Sequence, residues 1–139
     1  MNEEAAIQRS LELADRAETA MLGTNDSHGY PNIKAMLKME NEGLGVIWFS
    51  TNTSSRRVSQ LTRDKKACVY FVDTKTAEGL MLVGEVAVLA DAESRQRIWR
   101  EGFERYYPKG VNDPDHAVLR FASRWCNYYH GRRNVSFEV

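Results

Sequence analysis

Apolar residues recur at roughly every third or fourth position near the start of the chain, between charged residues. They are Ala6, Ile7, Leu11, Ala14, Ala17 and Met21. This spacing places them on one face of a helix, so we predict an amphipathic helix over residues 3 to about 18. We expect its apolar stripe to pack against a sheet.

Shorter apolar runs, several of them alternating with polar positions, follow this helix and indicate strands. The predicted strands cover residues 19–25, 32–40, 44–51, 67–73, 80–90 and 117–129, with a shorter one in VSFEV at the end. The turn-forming segment DSHGYP predicts a hairpin between the first two. Gly84 inside a long predicted strand suggests a bulge or a close backbone approach.

Two further helices are predicted between strands. One covers residues 54–62, and the other begins after Asp91 and covers residues 92–104. Helices placed between antiparallel strands, without strict alternation, favour an α+β fold that is mainly β, with a small barrel or curled sheet. A chain of 139 residues is long enough for one domain, which we expect to span residues 1–139.

Charge and hydropathy narrow the function classes. Lys and Arg together number 19, as do Asp and Glu, so no overall basic field attracts nucleic acid or an acidic membrane surface. No apolar run approaches the ~20 residues of a membrane span, and the acidic N-terminus lacks a signal-peptide core. We therefore expect a soluble, cytoplasmic protein with no nucleic-acid or membrane partner.

The segment FSTNTSSRR at residues 49–57 joins a predicted strand to a predicted helix. Ser54 or Ser55 can cap that helix through its hydroxyl. Each arginine in the first helical turn is disfavoured by about 0.3–1 kcal/mol, and a bound phosphate would compensate for both. The alternative is a solvated corner whose arginines reach Asp or Glu elsewhere in the chain.

A neighbouring strand carries two further cations. Lys34 and Lys38 share one strand face at period two and could join Arg56 and Arg57 in a cationic pocket. The alternative is that both lysines lie at the surface with their apolar stems packed down. Residues 34–66 hold seven bases against three acids, which makes this region locally cationic.

No catalytic constellation is visible. The three histidines do not lie near a candidate nucleophile in the predicted elements, so the catalytic residues are unknown. Cys126 and His130 are four residues apart on a predicted strand without a second ligand pair, which argues against a metal site. Glycine-rich nucleotide-binding loops are absent.

Several motifs resemble those of one family. A glycine-x-proline turn precedes a basic residue, Lys34, and the F-x-T-x-x-x-S-[RK]-[KR] pattern is filled by Phe49, Thr51, Ser55, Arg56 and Arg57. GEV at 84–86 and Trp99 before YYPKGVNDPD add to the likeness. From about Ala20 to Tyr129 the chain resembles the pyridoxamine 5'-phosphate oxidase-like FMN-binding split barrels, in their general stress protein branch.

The resemblance implies a fold, a cofactor and an assembly. It implies a six-stranded antiparallel split β-barrel with peripheral helices, forming a homodimer with two FMN molecules at the subunit interface. FMN is favoured over FAD or a deazaflavin. The residues that it assigns to the FMN phosphate are Lys34, Thr51, Ser55, Arg56 and Arg57, and more weakly Ser50.

Two departures from the family pattern bear on function. The second basic residue of the pattern falls at Met39 here, and Lys38 stands one position earlier, which leaves open whether Lys38 faces the ligand. The C-terminal substrate-binding arginine motif of the true oxidases is not found, so we expect another substrate than pyridoxamine phosphate.

The resemblance favours a flavin-dependent oxidoreductase that acts on a small molecule, and its general stress protein branch implies a link to stress. Two alternatives stay open: a non-catalytic flavin or phospho-ligand binding protein that acts as a buffer or sensor, and a dimeric interaction module that has lost its flavin site.

Overall fold

The computed structural model of the protein describes all residues, 1–139. Three helices and seven strands follow one another along the chain. The helices are α1 (Glu3–Arg16), α2 (Arg56–Arg63) and α3 (Ala92–Ile98). The strands are β1 (Thr19–Asn25), β2 (Pro31–Glu42), β3 (Val46–Asn52), β4 (Lys66–Asp73), β5 (Glu78–Leu89), β6 (His116–His130) and β7 (Arg133–Glu138). All predicted strands are present, within a few residues at each end.

Six of the strands close into an antiparallel barrel. Their order is β3-β2-β1-β4-β5-β6, and β3 pairs with β6 to complete the ring. The long strand β6 makes this possible because its first half pairs with β3 and its second half pairs with β7. The predicted α+β, six-stranded barrel with peripheral helices is confirmed, with β7 as one extra strand.

Alternation along the strands produces the core. In β1, every second side chain is buried, and Leu22 has no exposed surface. The same holds for Val69 and Phe71 in β4, with half-buried or exposed residues between them. These inward side chains join one continuous cluster of 21 buried apolar residues. The barrel interior is therefore filled by packed side chains. A ligand-binding site is expected at an end of the barrel and not inside it.

The helices α1 and α2 lie at opposite ends of β1. The C-terminal turn of α1 lies at the Thr19 end, where Lys38 Nζ reaches the Ala14 carbonyl at 2.5 Å. The helix α2 lies at the other end, where Thr24 donates to Gln60 at 2.5 Å. None of the helices is long and apolar enough to span a lipid bilayer.

The third helix is shorter than predicted. Asp91 caps its start as expected, but the helix ends at Ile98, because Trp99 is already extended at φ −61° and ψ 136°. Gly102 follows at φ 94°, a left-handed conformation that interrupts a helix. Residues Phe103–Arg105 then form only one 3₁₀ turn. The prediction over residues 92–104 therefore overran the helix by six residues.

Gly84 sits at a β-bulge, as predicted. The pairing of β5 with β6 shifts register between Val83 and Gly84. A Cβ at position 84 would overlap the carbonyl oxygen of Ala122 on β6. Glycine is therefore required here by the close approach of two backbones.

Candidate functional site

The strand-to-helix corner after β3 is built from its own side chains. Ser55 is the N-cap of α2, and its Oγ accepts from the Val58 N–H at 3.3 Å. Thr51, which is 5% exposed, directs its side chain inward and donates to Ser55 Oγ at 3.4 Å. Arg57 Nη2 donates to Thr51 Oγ1 at 3.4 Å. These contacts fix the positions of two hydroxyl groups and one guanidinium group around the helix start.

The first turn of α2 is electrostatically unlike those of the other helices. It carries Arg56 and Arg57 and no acidic residue, whereas the first turns of α1 and α3 carry glutamates. Cations at this end oppose the helix dipole by about 0.3–1 kcal/mol each. A bound anion would be attracted by the helix dipole and by both cations, and this attraction would compensate for the unfavourable interaction.

A cavity of about 170 Å³ opens beside this helix start. Its lining residues are Leu22, Thr24, Asn32, Ile33, Lys34, Arg56, Arg57 and Gln60. Three of them are cations, and no carboxylate lines the cavity. None of these three cations forms a salt bridge within the chain. The alternative of a corner whose arginines pair with Asp or Glu elsewhere is therefore not what the structure shows.

Arg57 has a specific unmet requirement. Its Nε is buried and has no hydrogen-bond partner in the protein. Buried polar atoms without partners are uncommon in native structures, and an ion or ligand is one accepted explanation. A phosphate in the cavity would meet this requirement, because guanidinium groups bind phosphate oxygens strongly.

The structure places Lys34 in this cavity and Lys38 elsewhere. Both side chains leave the inward face of β2, but Lys34 lies opposite Leu22 near α2, while Lys38 lies near α1. Lys38 Nζ donates to the Ala14 carbonyl and, at 2.7 Å, to Asn41 Oδ1. The pocket that combined both lysines with the arginines is corrected accordingly: Lys38 caps the end of a helix.

Ser50 is separated from the other candidate residues. It pairs with Val118 of β6 and points to the outer face of β3, opposite to Thr51. There its side chain contacts the hydroxyl group of Tyr107. Burial raises the pKa of the Tyr107 hydroxyl, and the contact with Ser50 acts in the opposite direction. Of the six candidates, the structure groups Lys34, Thr51, Ser55, Arg56 and Arg57 at one end of the barrel.

Three polar residues of the cavity were not predicted from the sequence. Thr24 and Asn32 are cross-strand partners in the β1–β2 hairpin, and Gln60 is one helical turn after Arg56. The Thr24 hydrogen bond occupies the carbonyl of Gln60 and leaves its amide group as a donor. Two spacings could have revealed two of the three: Asn32 is two residues before Lys34 on a strand, and Gln60 is four after Arg56 on a helix.

Comparisons with known proteins agree with the barrel and with these motifs. The profile described as "Pyridoxamine 5'-phosphate oxidase like" matches residues 5–138. A Clostridium acetobutylicum protein, described as related to general stress protein 26 of B. subtilis and of the pyridoxinephosphate oxidase family, is 43% identical with a TM-score of 0.89. The alignment covers 99% of this chain and 97% of that one.

More distant structures share the fold alone. General stress protein 26 from Bacillus anthracis is 13% identical, with a TM-score of 0.77 over 96% of this chain and 98% of its own. A heme binding protein from Mycobacterium smegmatis is 16% identical, with a TM-score of 0.76 over 99% of this chain and 59% of its own. A search of functionally curated proteins finds no significant match. The family profile, the 43% identical structure and the six-stranded barrel show that this chain belongs to the pyridoxamine 5'-phosphate oxidase-like family, in its general stress protein branch.

Proposed function

We propose that the protein is a flavoprotein that binds FMN by its phosphate at the start of α2 and acts as an oxidoreductase on a small molecule. The observation that carries this proposal is the cavity lined by Lys34, Arg56 and Arg57 without a carboxylate, together with the partnerless Nε of Arg57. Family membership supports a flavin over other phosphorylated ligands.

Each residue of the corner has a distinct part in holding the phosphate. The half-buried Arg57 supplies charge from within the cavity, and the exposed Lys34 and Arg56 supply it from β2 and α2 at the rim. The hydroxyls of Thr51 and Ser55 and the first-turn N–H groups of α2 supply further donors. Because Thr51 holds Arg57, the guanidinium group is positioned before a ligand arrives.

The bound flavin would supply hydride or electron transfer, and the chain would supply binding and orientation. No His, Cys, Asp or Glu lines the cavity. The residues at the phosphate therefore serve as an anchor, and the proposal needs no protein nucleophile or general base there.

The same lining also suits the second candidate, a flavin-binding buffer or sensor, because an anchor alone does not require turnover. The two are separated by kinetics. The flavin of an oxidoreductase is reduced and reoxidised repeatedly when NADH or NADPH is supplied with a panel of quinones and nitro compounds. A buffer or sensor binds flavin and shows no sustained turnover with any pair.

The assembly that we propose is a homodimer with the flavin near the subunit interface. The outer face of β2 carries two large apolar side chains that are exposed to solvent. Ile33 is 71% exposed and Leu37 is 57% exposed. Ile33 also lines the cavity, so the apolar face and the cationic pocket are continuous. A second copy of the chain would cover this face and the flavin ring together.

The visible spectrum of the purified protein tests the cofactor. We expect a flavin spectrum as isolated, or its appearance after incubation with FMN, with riboflavin bound more weakly. A heme spectrum would contradict the proposal, as would a colourless protein that FMN does not reconstitute. Extraction of the bound chromophore and its chromatography against FMN and FAD standards separates those two flavins.

A further inference from the structure

Asp115, in the loop that precedes β6, is bonded to the corner that carries the candidate phosphate site. Its Oδ1 accepts from the Thr53 hydroxyl at 2.8 Å, and from the N–H and hydroxyl of Ser54, both at 3.2 Å. The Asp115 carbonyl also accepts from the Thr53 N–H at 2.8 Å. One residue therefore ties down both positions that directly precede the N-cap Ser55.

These two positions have little else to hold them. The side chains of Thr53 and Ser54 are exposed, so burial does not fix them. Within the corner, Asn52 contributes a side-chain bond to Ser54 Oγ at 2.7 Å and a backbone bond to the Ser55 N–H at 3.0 Å. A segment with few buried contacts opens easily unless another element restrains it. The Asp115 contacts provide that restraint.

Asp115 is itself held by a packed loop. Its N–H donates to Asp113 Oδ1 at 2.9 Å, and Asp113 is 6% exposed. The next residue, His116, is fully buried, with its ring 4.6 Å from that of Tyr107 and 5.3 Å from that of Trp99. The aromatic cluster thus anchors one side of the loop, and the loop holds the corner on the other side.

The contacts of Asp115 with Thr53 and Ser54 are explained by hydrogen bonding better than by the negative charge of the carboxylate. The hydrogen bond from Thr53, joined by those from Ser54, holds the pKa of Asp115 below its ordinary value, so the group is a carboxylate at neutral pH. A negative charge beside a phosphate site opposes the binding of an anion. All three side-chain contacts use a single oxygen, which an asparagine would retain.

We propose that Asp115 is a positioning residue for the phosphate site. Through Thr53 and Ser54 it fixes the start of α2, so that the Ser55 hydroxyl and the first-turn N–H groups point to one place. The inference rests on the proposed function, since it assumes that a phosphate binds at this corner. It assigns a role to the loop at residues 113–115, which does not line the cavity.

The test compares Asp115→Ala and Asp115→Asn with the wild type, by the dissociation constants of FMN and riboflavin. Asp115→Ala is expected to weaken FMN about tenfold, as the loss of bonds to a charged acceptor implies, and riboflavin much less. Asp115→Asn is expected to bind FMN as tightly as the wild type or more tightly. Asp91→Ala, which removes the cap of α3, is the matched control and should leave both constants unchanged.

Amide hydrogen exchange of the ligand-free proteins gives a second readout that needs no flavin. The Ser55, Val58 and Ser59 amides, which have acceptors at the start of α2, should exchange faster in Asp115→Ala than in the wild type, and should stay protected in Asp115→Asn. A wild type that binds no flavin, but shows this exchange pattern, contradicts the proposed function and leaves the anchoring by Asp115 supported. An FMN-to-riboflavin ratio and an exchange pattern in Asp115→Ala equal to those of the wild type would overturn the inference.

Discussion

At the scale of single residues, the site depends on atoms that the protein leaves without partners. Arg57 is half-buried, its Nε has no acceptor, and its Nη2 contact to Thr51 is long at 3.4 Å. Arg16, by comparison, sits at the other end of the barrel between Asp73 and Glu78, with the Glu78 contact at 2.8 Å. The chain pairs its structural arginine with carboxylates and leaves the arginine of the candidate site free for an anion.

Gly84 gives a residue-scale prediction about the barrel. Gly84→Ala places a methyl group against the Ala122 carbonyl, and the two backbones must separate. We expect the free energy of unfolding to fall by about 1–3 kcal/mol, the usual cost of overpacking. Gly45→Ala is the control, because the nearest atoms to its added Cβ are 3.8 Å away. Urea unfolding of both variants measures the difference, and equal stabilities would contradict the bulge geometry.

His116 predicts a dependence of stability on pH. Burial lowers the pKa of His116, the Arg95 guanidinium acts in the same direction, and the Val111 carbonyl opposes both. The unfolded chain therefore binds more protons than the native one as the pH falls below about 6.5. The contribution of His116 to the free energy of unfolding is fully present above about pH 6.5, and it is lost as the pH falls toward the lower pKa of the native histidine. Asp113 and Asp115 titrate in a more acidic range, since their pKa values are lowered from the carboxyl value.

Thermal unfolding at about pH 7.5 and about pH 5.5 checks the role of His116. We expect the wild type to lose stability between them and His116→Asn to show a smaller difference, whatever its absolute stability. His28→Asn, in an exposed turn, should keep the wild-type difference. The prediction is wrong if His116→Asn retains the full pH dependence.

At the scale of elements, local pattern determined most of the fold correctly. The alternation in β1 and β4 and the turn chemistry of DSHGYP were sufficient to predict the strands and the hairpin, because each is a short-range property. The end of α3 was missed, since the helical pattern of Ile98, Trp99 and Phe103 continues past the point where the backbone turns. The positive φ of Gly102 belongs to that turn, and apolar spacing does not report it.

Lys34 and Lys38 show what strand periodicity could and could not predict. Period two correctly gave them one face of β2, but their separation along the strand carries them to opposite ends of the barrel. Which helix closes each end is a tertiary property that the sequence pattern does not contain. The corner formed by Thr51, Ser55, Arg56 and Arg57 was predicted as a group because these residues are close in sequence, between the end of β3 and the first turn of α2.

Because Lys34 and Lys38 lie at opposite ends of the barrel, we expect the same substitution to affect stability at one position and FMN affinity at the other. Lys38→Met removes the bonds to the Ala14 and Asn41 oxygens at the end of α1 and should cost about 1 kcal/mol of stability, with FMN affinity unchanged. Lys34→Met should leave stability nearly unchanged and weaken FMN. Chemical unfolding and flavin titration of both variants separate the roles, and a shared effect on FMN would show that Lys38 reaches the ligand after all.

At the scale of the whole molecule, the two ends of the barrel have different characters. The α1 end is closed by the pairing of Glu78 with Arg16 and Tyr128 and by Lys38. The α2 end has an open cationic cavity that continues into the exposed apolar face of β2. The first end stabilises the fold, and the second presents the surfaces that a phosphorylated aromatic ligand and a second subunit would use.

The proposed homodimer predicts the effect of charge on this face. Ile33→Lys with Leu37→Lys should convert a dimer to a monomer, because burial of two unpaired charges opposes association. Tyr106→Lys is the control, since Tyr106 is 68% exposed but follows the 3₁₀ turn Phe103–Arg105 and does not belong to β2. Light scattering after gel filtration measures the mass. A wild type that is monomeric at all concentrations would contradict the proposal.

The central claim is that the corner at Arg56 and Arg57 binds the phosphate of a flavin. The most direct measurement is the ratio of riboflavin to FMN dissociation constants in the wild type and in Arg56→Ala with Arg57→Ala. We expect a large ratio in the wild type and a much smaller one in the variant, because only FMN carries the phosphate that the arginines would bind. A variant that loses affinity equally for both flavins, or for neither, would contradict it.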